Sequence, residues 1–139
     1  MKLEDARKIA EAYITKIGHQ YKRIEIVGSI RRGKHEVKDI DLVAIPKFPQ
    51  EKQIIRTEVE GIKVEVYIAN DKNYEVLRLI RTGSAQHNIK LASMAIKKGC
   101  RLNFAEGLIL KDGSSIKTEK EILETLLGTY IDPKDREIS

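Results

Sequence analysis

Asp39 and Asp41 flank a single isoleucine in "DIDLV", and the stretch before them, "GSIRRGKHEVK" at 28–38, brings a glycine, a hydroxyl and two arginines. If 39–43 is a strand, residues i and i+2 share a face with Cα atoms about 6.5 Å apart, while Ile40 points into the core. Two carboxylates on one face raise each other's pKa unless cations lie between them. A pair of divalent ions about 3.5–4 Å apart would fit that gap. Upstream, Gly28 ends an apolar run and frees backbone N–H groups to face an anion. Ser29 adds a donor, and Arg31 or Arg32 can grip phosphate oxygens bidentately. A phosphate cradle followed by a cation-binding acid pair suits nucleotidyl transfer. That reaction needs a triphosphate held, its charge neutralised, and its α-phosphorus presented in line. Glu65, the single carboxylate of "IKVEVYIA", is the candidate third acid on a neighbouring strand.

The elements that must position these groups are legible in the periodicity. Residues 3–17 carry Leu3, Ala6, Ile9, Ala10, Tyr13, Ile14 and Ile17 at helical spacing. "RIEIVG", starting at Arg23, alternates and stops at Gly28, as a strand entering a turn does. "DIDLVAI" reads as a second strand, closed by Pro46 and Pro49, and "IIRTEVEGIKVEVYIA" as two strands around a Glu60-Gly61 turn. Residues 72–81 and 84–98 are helical in pattern, separated by Thr82-Gly83. "RLNF" and "GLILKDGSSIK" form a hairpin-like region turning at Asp112-Gly113. "TEKEILETLLG" is a short helix with Thr118 as N-cap, Glu121 three residues on and Gly128 at its end. The fold class is α+β.

Composition bounds the partners. The chain has 139 residues, 26 basic against 21 acidic, and a pI near 9.3, which suits a polyanion. From Val76 to Ala105 there are six basic residues and no acid, a surface fit to face phosphate. Cys100 is the only cysteine, which excludes disulfides and thiolate metal sites. His19, His35 and His87 are scattered and read as surface or capping residues. No signal-type segment and no membrane-length run is present, so a cytoplasmic, intracellular location is expected.

The stretch "GSIRRGKHEVKDIDLV" resembles the nucleotidyltransferase signature of the DNA polymerase X family, which includes polymerase beta. "RTGSAQHNIKLASMAIKKGCRLN" and "EKEILETLLGTYIDPKDRE" are similar to that family's palm-to-thumb passage and closing segment. The resemblance runs from about residue 1 to 139, strongest at 27–43 and 81–137. It implies a nucleotidyltransferase palm, a mixed or antiparallel sheet with flanking helices, over 1–92. A small thumb lobe would follow over 93–139, with no lyase domain or helix-hairpin-helix motif. Asp39, Asp41 and Glu65 would be catalytic and hold two Mg²⁺, or Mn²⁺. Gly28, Ser29, Arg32 and Gly33 would cradle the triphosphate. Thr82, Gly83 and Ser84 would sit against the sugar, and Asn88 would reach the base. Lys90, Lys97, Lys98 and Arg101 would meet DNA.

The family usually has aspartate where Glu65 stands, and many members carry Tyr-Phe where this chain has Ile80-Arg81. What the resemblance implies is a monomeric polymerase of palm and thumb, adding dNTPs to a primer on gapped or primer/template DNA, with weak, salt-sensitive DNA binding and no lyase activity. Two rivals stay open: transfer of nucleotides to RNA, protein or a small molecule, and a DNA-end-binding module with little catalysis.

Overall fold

The computed structural model describes residues 1–137. The first helix, α1 (Leu3–Ile17), forms where the apolar residues recur every three or four positions. Glu4 and Asp5 in its first turn and Lys16 in its last oppose the ends of the helix dipole. Its Ala6 and Ala10 are buried against a four-stranded sheet built from β1 (Tyr21–Val27), β2 (Asp39–Pro46), β3 (Ile54–Val59) and β4 (Ile62–Ile68). The sheet order is β1-β2-β4-β3; β2 runs parallel to β4, and the other pairings are antiparallel. The sheet is therefore mixed. β2 is interior and buries Ile40, Leu42, Val43 and Ala44 on both faces, as a covered central strand must.

Two readings of the N-terminal half shift on inspection. The first strand begins at Tyr21 rather than Arg23, because Tyr21 pairs with Pro46 across a bulge. The polar stretch after β1 opens with one helical turn, α2 (Gly28–Arg31), before it loops out to β2. The Glu60-Gly61 turn is as expected, with positive φ at both positions (49° and 80°).

Beyond β4, α3 (Tyr74–Thr82) and α4 (Ala85–Lys97) follow. Then come three short strands, β5 (Arg101–Asn103), β6 (Gly107–Ile109) and β7 (Ser115–Ile116), and last α5 (Glu119–Leu127). The hairpin-like region is a three-stranded antiparallel sheet in the order β5-β6-β7. A second core gathers Val76, Leu79 and Ile80 of α3 with Leu91 and Ala95 of α4, Leu108 of β6, and Ile122, Leu123 and Leu126 of α5. Each buried Val, Leu or Ile here contributes roughly 1.5–3 kcal/mol. Packing thus joins α3 and α4 to the C-terminal elements, whereas a 1–92 unit would divide α4. α3 bridges the lobes: its Tyr74 lies in a third cluster with Val27, Val43 and Ile45 of the large sheet. α5 is capped as its sequence predicts. The Glu121 N–H donates to the Thr118 hydroxyl oxygen (3.2 Å), that hydroxyl donates to Glu121 Oε1 (3.0 Å), and Gly128 closes the end at φ 84°.

Candidate active site

The chemistry-bearing residues meet at the end of the large sheet where β1 stops and β2 begins. Asp39 and Asp41 leave β2 on one face, and Asp41 lies directly opposite Glu65 of β4 in the parallel register. Gly28 packs onto this group. Its φ is 65°, and a Cβ built there would collide with the Asp41 carboxylate. Glycine is needed at 28 for two reasons at once, the left-handed backbone and the close approach.

A cavity of about 260 Å³ opens beside the pair, lined by Ser29, Arg32, Lys34, Glu36, Lys38, Asp39 and Asp41. Among the described residues, neither aspartate side chain accepts a side-chain hydrogen bond or ion pair. Burial, then the charges of Glu65 and Asp39, push Asp41 up to about 6. Arg81 and Arg32 offset only part of this. A half-buried carboxylate with two acidic neighbours and no donor of its own fits a hard dication that takes oxygen ligands. Glu65 is engaged otherwise. Its oxygens lie 3.3 Å from Arg56 Nε and 3.3 Å from Lys63 Nζ, and Tyr67 donates to it at 3.4 Å. Among the described residues no three His, Cys, Asp or Glu side chains stand in an arrangement that could hold a metal ion.

The two arginines separate in role. Arg31 turns away from the cavity to Glu119 at the start of α5, donating to both carboxylate oxygens at 2.8 Å. Arg136 donates to the same carboxylate at 3.0 Å, and Arg78 Nε lies 3.7 Å away. Glu119 and Arg136 are fully buried. Burial alone would raise the Glu119 pKa, but the hydrogen bonds and charges of Arg31 and Arg136 hold it below its ordinary value. Arg32 stays at the cavity. It donates from Nη1 to the Thr82 carbonyl (2.6 Å) and from Nε to Glu137. Gly83, at φ 72°, leaves room there, since a Cβ on it would stand 3.1 Å from Arg32 Nη1.

Of the expected sugar and base residues, Thr82 and Gly83 lie against Arg32, and the polar side chains of Thr82, Ser84 and Asn88 are engaged within the protein. The Thr82 hydroxyl donates to the Arg78 carbonyl and accepts from Arg31. The Ser84 hydroxyl caps α4 through the His87 N–H and donates to the Arg136 carbonyl. Asn88 Nδ2 donates to the Ile80 carbonyl (2.8 Å), while its Oδ1 is buried with no partner among the described residues. Gly33 turns the chain out of α2 at φ 73°. Lys90, Lys97, Lys98 and Arg101 are all exposed and lack acidic partners among the described residues. His87 departs from the surface or capping role expected of it. It is buried, and burial, then Arg136 and Lys90, lower it to about 4. His19 and His35 are exposed.

Sequence reasoning missed the Glu119 cluster and the Glu137 ion pair. Neither leaves a local signal, because Glu119 is an ordinary first-turn acid of a capped helix. Among the described residues no helix is long and apolar enough to cross a membrane.

A family model described as the DNA polymerase beta thumb matches residues 77–137. No curated protein matches the chain. The chain is similar in its C-terminal portion to that thumb, which supports a relationship to polymerase-beta-like proteins resting on the thumb alone. The match begins within α3, close to where the second core begins at Val76.

Proposed function

We propose that the chain is a metal-dependent DNA nucleotidyltransferase of the polymerase X type, palm and thumb, adding dNTPs to a primer 3′-hydroxyl in gap filling. One observation carries this reading. An Asp39–Asp41 pair only partly offset by Arg81 and Arg32 lies beside the Gly28-Ser29 turn, in a chain whose residues 77–137 are similar to a polymerase thumb.

Asp39 and Asp41 would hold Mg²⁺, with Glu65 joining them once it exchanges Arg56 and Lys63 for the ion. When bound, the ion lowers the pKa of the attacking hydroxyl and neutralises charge on the triphosphate. The chain's own residues do the positioning. Ser29 and Arg32 take the β- and γ-phosphate oxygens, which points the α-phosphorus toward the acid pair. The primer 3′-oxygen then bonds to that phosphorus as its bond to the pyrophosphate oxygen breaks, and the hydroxyl proton leaves to water. Lys90, Lys97, Lys98 and Arg101 supply a charged face for the DNA backbone.

Primer extension on gapped DNA with Mg²⁺ or Mn²⁺ tests the reading. Asp39→Ala should abolish dNTP addition while leaving DNA binding within about threefold. Extension undiminished in Asp39→Ala would remove the acid pair from the chemistry. The ion-paired state of Glu65 favours a second reading, a DNA-binding module without turnover. It predicts no extension with either metal and salt-dependent DNA binding like that of Asp39→Ala.

A further inference from the structure

Arg32 has one nitrogen fixed on a backbone carbonyl and another turned to a side-chain carboxylate. Its Nη1 is held by the Thr82 carbonyl, and its side chain is 13% exposed. Its Nε donates to Glu137 Oε1, and Glu137 Oε2 faces Lys34 Nζ at 3.9 Å. A single carboxylate thus bridges two of the three cations that line the cavity, Arg32 and Lys34 but not Lys38, beside Ser29, Asp39 and Asp41. Carboxylate and phosphate oxygens accept alike from a guanidinium N–H and an ammonium, so Glu137 and a phosphate compete for the same donors.

The anchoring of the two partners is unequal. Arg32 is pinned from below by Thr82, whereas Glu137 has an exposed side chain, 39% accessible. Its backbone is nonetheless held close. The preceding residue, Arg136, is fully buried, donating from Nε to the Ile131 carbonyl (2.9 Å) and from Nη1 to Glu119 (3.0 Å). Glu137 is therefore an intramolecular anion at high effective concentration, and side-chain rotation alone can release it.

We propose that Glu137 is a positioning residue that keeps Arg32 and Lys34 aligned as a stand-in for the triphosphate and sets nucleotide affinity by competing with it. The proposal rests on the nucleotidyltransferase reading. A bound nucleotide displaces the carboxylate, and the free energy of breaking that pair is subtracted from its binding. The closing partner of the cradle comes from the last described residue of the thumb-like segment, so occupancy of the phosphate site and the seating of that segment are linked.

The test uses the full chain, sodium tripolyphosphate as the phosphate probe, and Mg²⁺–dATP, both titrated calorimetrically. Glu137→Gln should bind each about three- to tenfold tighter than wild type, the scale of a partly exposed ion pair. In primer extension its KM for dATP should fall by a similar factor while kcat changes less than about twofold. Glu137→Asp, which keeps the carboxylate, should stay near wild type. Arg32→Ala should lose tripolyphosphate binding and serves as the control. Unchanged or weaker binding in Glu137→Gln, with Arg32→Ala still defective, overturns the competition and leaves the phosphate cradle standing. So does a lower melting temperature with unmoved affinity, which would make the ion pair merely structural. If Arg32→Ala binds as wild type does, the phosphate-site reading fails and the competition with it.

Discussion

Glu119→Ala is the sharpest probe of how the two lobes are held together. The glutamate sits at the first position of α5 and accepts from Arg31 at 2.8 Å through both oxygens and from Arg136 at 3.0 Å, with Arg78 Nε 3.7 Å away. Arg136 is fully buried and the Arg31 side chain is 18% exposed, so truncation strands positive charge where water cannot reach it. Breaking a buried pair by removing one partner costs roughly 3–5 kcal/mol. At about 3 °C per kcal/mol for a chain of this size, the melting temperature should drop by roughly 10–15 °C. Arg31→Met should cost less, because Glu119 keeps Arg136 and Arg78 as partners. The pH profile follows from the depressed Glu119 pKa. Its stabilisation is fully present above the unfolded carboxylate range and is lost as pH falls through the folded value. Wild type should therefore lose stability steeply in acid and Glu119→Ala much less so. Thermal melts from pH 3 to 8 by circular dichroism measure both. A Glu119→Ala loss below about 1 kcal/mol, or Arg31→Met being the worse variant, would refute the claim that this carboxylate compensates the cluster.

The active-site reading yields three further outcomes. Gly28→Ala should abolish nucleotide addition and destabilise the fold by about 1–2 kcal/mol from the backbone alone, as melts and primer extension would show. Asp41, raised from 3.8 to about 6, destabilises the fold when ionised. The penalty is absent below pH 3.8, builds toward pH 6 and is complete above. Asp41→Asn in EDTA at pH 7.5 should then be more stable than wild type by up to about 3 kcal/mol although inactive, and Mg²⁺ should stabilise only the wild type. Lys97→Ala with Lys98→Ala should lower the slope of log K against log salt for DNA by about one for each phosphate no longer neutralised, read by fluorescence anisotropy.

Most of what short-range periodicity governs was legible in the residues alone, the start of β1 at Tyr21 and the α2 turn excepted. Alternation placed Asp39 and Asp41 on one face of a strand. The three-four spacing marked α1, and Thr118, Glu121 and Gly128 bounded α5, because capping and strand alternation depend on neighbours within a few positions. The Gly28-Ser29 turn was visible for the same reason, although its reason for being glycine, the Asp41 carboxylate against it, was not. The tertiary structure alone decided which charges meet. Arg31 and Glu119 are 88 residues apart in sequence, and Arg32 and Glu137 are 105 apart. No local pattern distinguishes an arginine that faces a cavity from its neighbour that bridges two lobes. The same holds for His87, buried on α4 within reach of the Arg136 charge, and for Glu65, turned to Arg56 and Lys63 rather than to the aspartates. Charge pairing acts through space, so partners are chosen only after the chain has folded them into reach.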